Sequence, residues 1–82
     1  MKLITYQSAA RKTLMRMPKH EAKRIVEKIE QFAEDPQSLA NNIKSLQGRD
    51  GIRLRVEDWR VIMQDGTVLD ILAIGNRSEI YR

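Results

Sequence analysis

Residues 52–74 read IRLRVEDWRVIMQDGTVLDILAI, and the spacing within this stretch decides the fold class. Ile52, Leu54 and Val56 alternate with Arg53 and Arg55, the period-two pattern of a strand with one buried face. Glu57–Asp58 reads as a tight turn, after which Trp59, Val61 and Met63 alternate with Arg60, Ile62 and Gln64. Asp65–Gly66 is a strong hairpin signal. The following TVLDILAI (67–74) is apolar on both faces except at Asp70, as a central strand is. Gly75–Asn76 is expected to interrupt it, with an extended form resuming over Ser78–Tyr81.

Upstream of this meander the period changes. Residues 2–6 (KLITY) predict a short strand, and Ser8 is placed to cap a following helix. In that helix Ala10, Leu14 and Met17 share one face, with Arg11, Lys12 and Arg16 on the remainder. Met17–Pro18 marks its end, because the residue before proline resists helical angles, and Pro18 suits the first turn of a second helix. There Ala22, Ile25, Val26, Ile29, Phe32 and Ala33 recur at spacings of three and four, the stripe of a helix packed on a core. Lys23–Glu27 predicts an i,i+4 pair, and Asp35–Pro36 closes the helix. Residues 37–42 predict a turn or helical fragment, and Ile43–Leu46 a possible short strand. The resulting expectation is α+β: a two-layer β-α-α-β-β-β domain, with a small, mainly antiparallel sheet covered by two helices on one face.

Composition narrows the function classes. The chain has 82 residues, so one domain over 1–82 with one modest core is expected. It has no cysteine and one histidine, His20, which removes disulfides, cysteine-based zinc sites and histidine-rich metal clusters. No metal or other cofactor is expected. Uncharged runs fall short of the roughly 18 residues that a membrane span needs, and the opening MKLITYQSAARK lacks an apolar signal core. A cytoplasmic location without membrane contact is the expectation. The net charge of +4 is unevenly spread: Lys2, Arg11, Lys12, Arg16 and Lys19 fall within residues 1–20, where there is no acid. Such a field suits a polyanion or an acidic protein, though basicity alone is weak evidence of either.

Alternation directs Ile52, Leu54, Val56, Val61 and Met63 at the helices and Arg53, Arg55 and Arg60 at solvent. Three guanidinium groups on adjacent hairpin strands form a compact patch able to take phosphate oxygens in bidentate fashion. A charged outer face of a small sheet, with Arg55 paired to Glu57 or Asp58, accounts for the pattern equally well at this stage.

RLRVEDWRVI (53–62), followed by DG and then ILAIGNRSEIYR (71–82), resembles the RelE-type toxins of type II toxin–antitoxin systems, within the RelE/ParE superfamily. The front half agrees: a strand, a basic helix, a second helix ending near D-P, then N-N-x-K-x-L-x-G. The resemblance spans essentially the whole chain, and it implies a ribosome-dependent endoribonuclease that cuts mRNA by attack of the 2′-hydroxyl on the adjacent phosphate. It also implies a cognate antitoxin that wraps the toxin, and operator DNA bound through that antitoxin. The family's basic sheet positions fall on Arg53 and Arg55, the arginine of its Y-R segment on Arg60, its late basic residue on Arg77 and its terminal tyrosine on Tyr81.

On this reading Arg60 and Arg77 stabilise the scissile phosphate, while Arg53 and Arg55 hold flanking phosphates or ribosomal RNA. An arginine is a poor base, so proton transfer or base stacking falls to Tyr81, with Glu79 a second possible general base. Tyr81 needs its acidity raised by neighbouring arginines to serve as base, and covering a sheet edge is its plain structural role. Departures from the family pattern are Asn76 where close relatives carry histidine, Met63 where they carry tyrosine or phenylalanine, and Trp59 in place of the tyrosine before Arg60. Asn76 cannot exchange a proton near neutrality, and His20, expected to face solvent, is no evident substitute. Two other readings stay open: a gyrase poison of the ParE branch without nuclease activity, and an inactive toxin fold that only binds an antitoxin.

Overall fold

The computed structural model describes residues 2–76. Strand β1 (Ile4–Tyr6) leads into helices α1 (Ser8–Arg16) and α2 (Lys19–Glu34). A 3₁₀ helix (Pro36–Asn42) then hands the chain to strands β2 (Ile43–Ser45), β3 (Ile52–Val56), β4 (Trp59–Asp65) and β5 (Leu69–Asn76). The five strands form one sheet in the order β1-β5-β4-β3-β2. Its pairings are antiparallel except β1–β5, which is parallel. The α+β expectation holds, with the stretch around residue 43 confirmed as an edge strand.

The helices form where the apolar spacing placed them. Ala10 and Met17 of the first stripe are buried, as are Ile25, Ile29, Phe32 and Ala33 of the second. They pack on Leu54, Val56, Val61, Met63, Leu69, Ile71 and Ile74 of the sheet, so one continuous core lies between the layers. No helix among the described residues is long and apolar enough to cross a membrane.

Local details differ from the sequence reading in five places. Ser8 is the first helical residue rather than the cap; Gln7 occupies the cap position with no side-chain cap bond. Pro18 stands just before α2, where its carbonyl accepts from the Glu21 and Ala22 amides. Its ring thus fixes the approach to the helix instead of its first turn. Lys23 and Glu27 do not close an ion pair; the ion pairs joining described residues are Lys2–Asp65 and Arg24–Glu57. The last strand begins at Leu69, two residues later than expected, because Gly66 N–H bonds to Val68 O in the connecting turn. That strand also runs through Gly75 and Asn76, which pair with Arg60 and Trp59, so cross-strand bonds override the interruption the two residues predict. The expected extension at Ser78–Tyr81 lies outside the described residues.

Two locks hold β1 at its edge. Thr5 Oγ1 donates to Asp70 Oδ1 at 2.9 Å, and Gln7 Nε2 donates to both carboxylate oxygens at 2.9 and 3.0 Å. Thr5 and Asp70 are register partners, so the one charged residue of β5 serves the parallel pairing.

Candidate functional site

Register assembles the cationic face. Leu54 opposes Val61 toward the helices, so their neighbours Arg55 and Arg60, themselves a cross-strand pair, lie on the opposite face. One step along β3, Arg53 opposes Ile62 of β4 on one side and Lys44 of β2 on the other. Four cations therefore share one face across three strands. Lys44 escaped the sequence reading. Its signal was the phase of the edge strand: with Ile43 opposite core residue Leu54, Lys44 falls on the same face as Arg53.

Directly opposed like charges destabilise a sheet. Two acids of the neighbouring turn and strand, Glu57 and Asp70, are engaged by other described residues. Glu57 binds Arg24 of α2, with Arg24 Nη1 at 2.7 Å from Glu57 Oε1. The charged hydrogen bond to Glu57 is the main reason the Arg24 guanidinium holds its proton more tightly than usual, with the Coulombic pull of the same carboxylate adding to it. Asp70 on β5 is occupied by Thr5 and Gln7. The expectation that Arg55 pairs with Glu57 or Asp58 is not met, since the ion pairs joining described residues are elsewhere.

Arg60 corrects the sequence reading most. Alternation sets it on the outer face, yet only 7% of it is exposed. Its guanidinium folds back along its own hairpin, Nη1 donating to Glu57 O at 3.3 Å and Trp59 O at 3.2 Å. Its Nε is buried without a hydrogen-bond partner. Ile62, on the same face and 3% exposed, gives the cluster an apolar floor. A cation over such a floor interacts more strongly with an incoming anion than one in open water.

The hairpin that carries Arg60 is itself constrained. Glu57 has φ 56°, the one non-glycine residue with positive φ among those described. Its side chain is tied to α2 by Arg24 while its carbonyl meets Arg60. The turn thus couples helix, hairpin and buried cation. Trp59 turns the other way, against the helices, and its indole Nε1 donates to Glu21 Oε1 at 3.5 Å. His20 is exposed at the start of α2, as expected, away from the cationic face.

A family profile for the ParE toxin of the type II toxin–antitoxin system parDE matches residues 4–81. The chain belongs to this toxin family. Solved structures share its fold. The RelE fold in the RelB–RelE antitoxin–toxin complex of Methanococcus jannaschii is similar with a TM-score of 0.74 at 24% identity, covering 94% of each chain. The RelE–RelB complex of Pyrococcus horikoshii OT3 gives 0.74 at 23% identity, covering 93% of this chain and 94% of that one. The isolated E. coli RelE toxin gives 0.70 at 21% identity, covering 99% and 92%. A search of curated protein sequences finds no significant match.

Of the toxin's sequence-predicted site residues, the fold brings Arg53, Arg55 and Arg60 together. Arg77, Glu79 and Tyr81 lie outside the described residues. Asn76 ends β5 opposite Trp59, one position from the Gly75–Arg60 pair. Met63, at one of the positions that departs from the family pattern, is fully buried and contributes to the core alone.

Proposed function

We propose that this toxin is a ribosome-dependent endoribonuclease whose cationic sheet face takes the mRNA backbone. The observation that carries the reading is Arg60: a buried guanidinium with an unpartnered Nε, opposite Arg55 and beside Arg53 and Lys44. A buried guanidinium with an unpartnered Nε, held opposite a second arginine, supplies the fixed positive charge that phosphodiester cleavage requires.

In the reaction the 2′-oxygen loses its proton and attacks the adjacent phosphorus. The bond to the 5′-oxygen breaks, that oxygen takes up a proton, and a 2′,3′-cyclic phosphate and a 5′-hydroxyl remain. Arg60, with Arg77, stabilises the charge that grows on the non-bridging oxygens. Arg53, Arg55 and Lys44 hold neighbouring phosphates in register. Proton transfer falls to Tyr81, with Glu79 as second candidate, since Asn76 cannot supply it. No cofactor enters this scheme. An antitoxin that covers the cationic face with acidic side chains would block it, and the likeness to toxins solved with RelB supports such a partner.

The test is cleavage of mRNA on programmed ribosomes by the wild type and by Arg60→Ala, Arg77→Ala and Tyr81→Phe. Cleavage by the wild type that drops at least a hundredfold in the Arg60 variant is expected. No cleavage by the wild type overturns the enzyme reading. A second reading, a gyrase poison, is favoured by the ParE description of the matching family. It predicts gyrase-linked DNA breaks in expressing cells while mRNA stays intact.

A further inference from the structure

On the helix side of the sheet, a cavity of about 220 Å³ opens where β4 begins and β5 ends, lined by Thr13, Arg16, Met17, Trp59 and Asn76. We propose that it is a subsite for one RNA base next to the phosphate bound on the cationic face. This inference rests on the ribonuclease reading above.

Trp59 and Arg60 are consecutive in β4, and their register partners Asn76 and Gly75 are consecutive in β5. Successive side chains of a strand point to opposite faces, so Trp59 serves the cavity and Arg60 the cationic face. The two sites meet around the end of one strand pair. A single-stranded RNA turning over that end can put a phosphate on one side and a base on the other.

The cavity also has the size and lining for a base. Its volume falls below the roughly 300–1,000 Å³ of sites that enclose whole drug-sized ligands, so it suits one ring system rather than a full nucleotide. Trp59 is half-buried and its indole N–H is already given to Glu21, which leaves the ring as a stacking surface in a fixed orientation. Arg16, the exposed last residue of α1, brings a guanidinium to the rim. It is in neither of the ion pairs that join described residues. Thr13 Oγ1 donates to Ala9 O at 3.1 Å, so its oxygen retains acceptor capacity. Asn76, opposite Trp59 in the strand pair, adds a carboxamide to the lining. Buried Met17 lines the apolar side. Aromatic ring, guanidinium and amide together select a planar, polar-edged ring. Asn76 thereby gains a role in base choice at the position where the family's histidine is missing.

Trp59 is the chain's single tryptophan, so its fluorescence reports the cavity directly. The full-length toxin is titrated with adenosine, guanosine, cytidine and uridine 5′-monophosphates, with ribose 5-phosphate as the base-free control. Saturable quenching by nucleotides, unequal among the bases and absent with ribose 5-phosphate, is expected. Arg16→Ala should raise the dissociation constant about tenfold, and Asn76→Ala should level the differences between bases. Quenching that is equal with ribose 5-phosphate, or unchanged by Arg16→Ala, overturns the subsite. A cavity built for an antitoxin side chain instead would lose affinity for an acidic peptide in Arg16→Ala while nucleotides fail to quench, which also overturns it. Because no cleavage is measured, failure of the ribonuclease reading would leave nucleotide quenching intact, and the two failures are told apart.

Discussion

Replacing Arg60 by methionine separates what this position does for the fold from what it does for an anion. Methionine keeps an unbranched side chain over the Ile62 floor and adapts to irregular space, so packing is largely retained. The change removes two hydrogen bonds from Nη1, at 3.2 and 3.3 Å, each contributing about 1 kcal/mol net. Against this, it removes a buried Nε without a partner, a cost of about 1–3 kcal/mol in the wild type. It also relieves repulsion with Arg55 directly opposite, up to about 1 kcal/mol for an opposed sheet pair. The Glu57 carbonyl belongs to an exposed turn residue and can turn to water instead. The opposing effects sum to between about −1 and +2 kcal/mol, centred slightly above zero. For a domain of this size, 1 kcal/mol is about 4–8 °C in Tm, so the largest fall expected is about 8 °C. Thermal unfolding followed by circular dichroism, beside a ribosome cleavage assay, reads both effects in one variant. A stable, inactive Arg60→Met supports the account. A fall in Tm beyond about 8 °C would show that Arg60 is a structural anchor, and the argument from its strained burial would be wrong.

Other perturbations probe the same framework. A Cβ on Gly51, at φ +122°, would sit 3.1 Å from both Met63 O and Leu46 Cδ1. Gly51→Ala should therefore cost about 2–3 kcal/mol in urea denaturation, against about 1 kcal/mol for Gly48→Ala, where φ is +76° but space is open. At Glu57, alanine loses the Arg24 pair and keeps the left-handed backbone, whereas glycine loses the pair and relieves about 1 kcal/mol of strain. The expected order in Tm is Glu57→Gly near wild type and Glu57→Ala below both; the reverse order would remove strain from the explanation. The Tyr6 hydroxyl is raised above its usual pKa of 10.0, chiefly by burial and then by the Glu30 charge. The folded state thus holds this proton more tightly than the unfolded chain. Its contribution is complete below pH 10 and is lost as pH rises through the higher folded value. In a Tyr81→Phe background, Tm should fall more steeply above pH 10 with Tyr6 than with Tyr6→Phe.

How much was legible follows from the range of each interaction. The two hairpins from Ile52 to Ile74 could be read directly, because the alternation and the punctuation at Glu57–Asp58 and Asp65–Gly66 are local. The α2 stripe was equally plain, as one face of six apolar residues admits few alternatives. The parallel seating of β1 on β5 was not legible, since it joins Thr5 to Asp70 across most of the chain. Asp70 looked like a flaw in an apolar strand and is its lock. The β3–β4 arginines were correctly gathered, but alternation assigns a face and not a depth. It could not foresee Arg60 lying down over its own turn. Lys44 was lost because three residues carry too little pattern to set a phase without their partner strand. Gly75 and Asn76 read as a break for the same reason: their pairing with Arg60 and Trp59 is invisible from local propensity.

The most direct measurement is the mapping of mRNA 5′ ends in cells after brief induction of the wild type and of Arg60→Met at matched protein levels. New ends bearing 5′-hydroxyls within translated regions are expected for the wild type, vanishing when ribosomes are kept off the message, with none for Arg60→Met. Growth arrest by the wild type with mRNA ends unchanged would contradict the ribonuclease reading, and would pass the cationic face from RNA cleavage to another target.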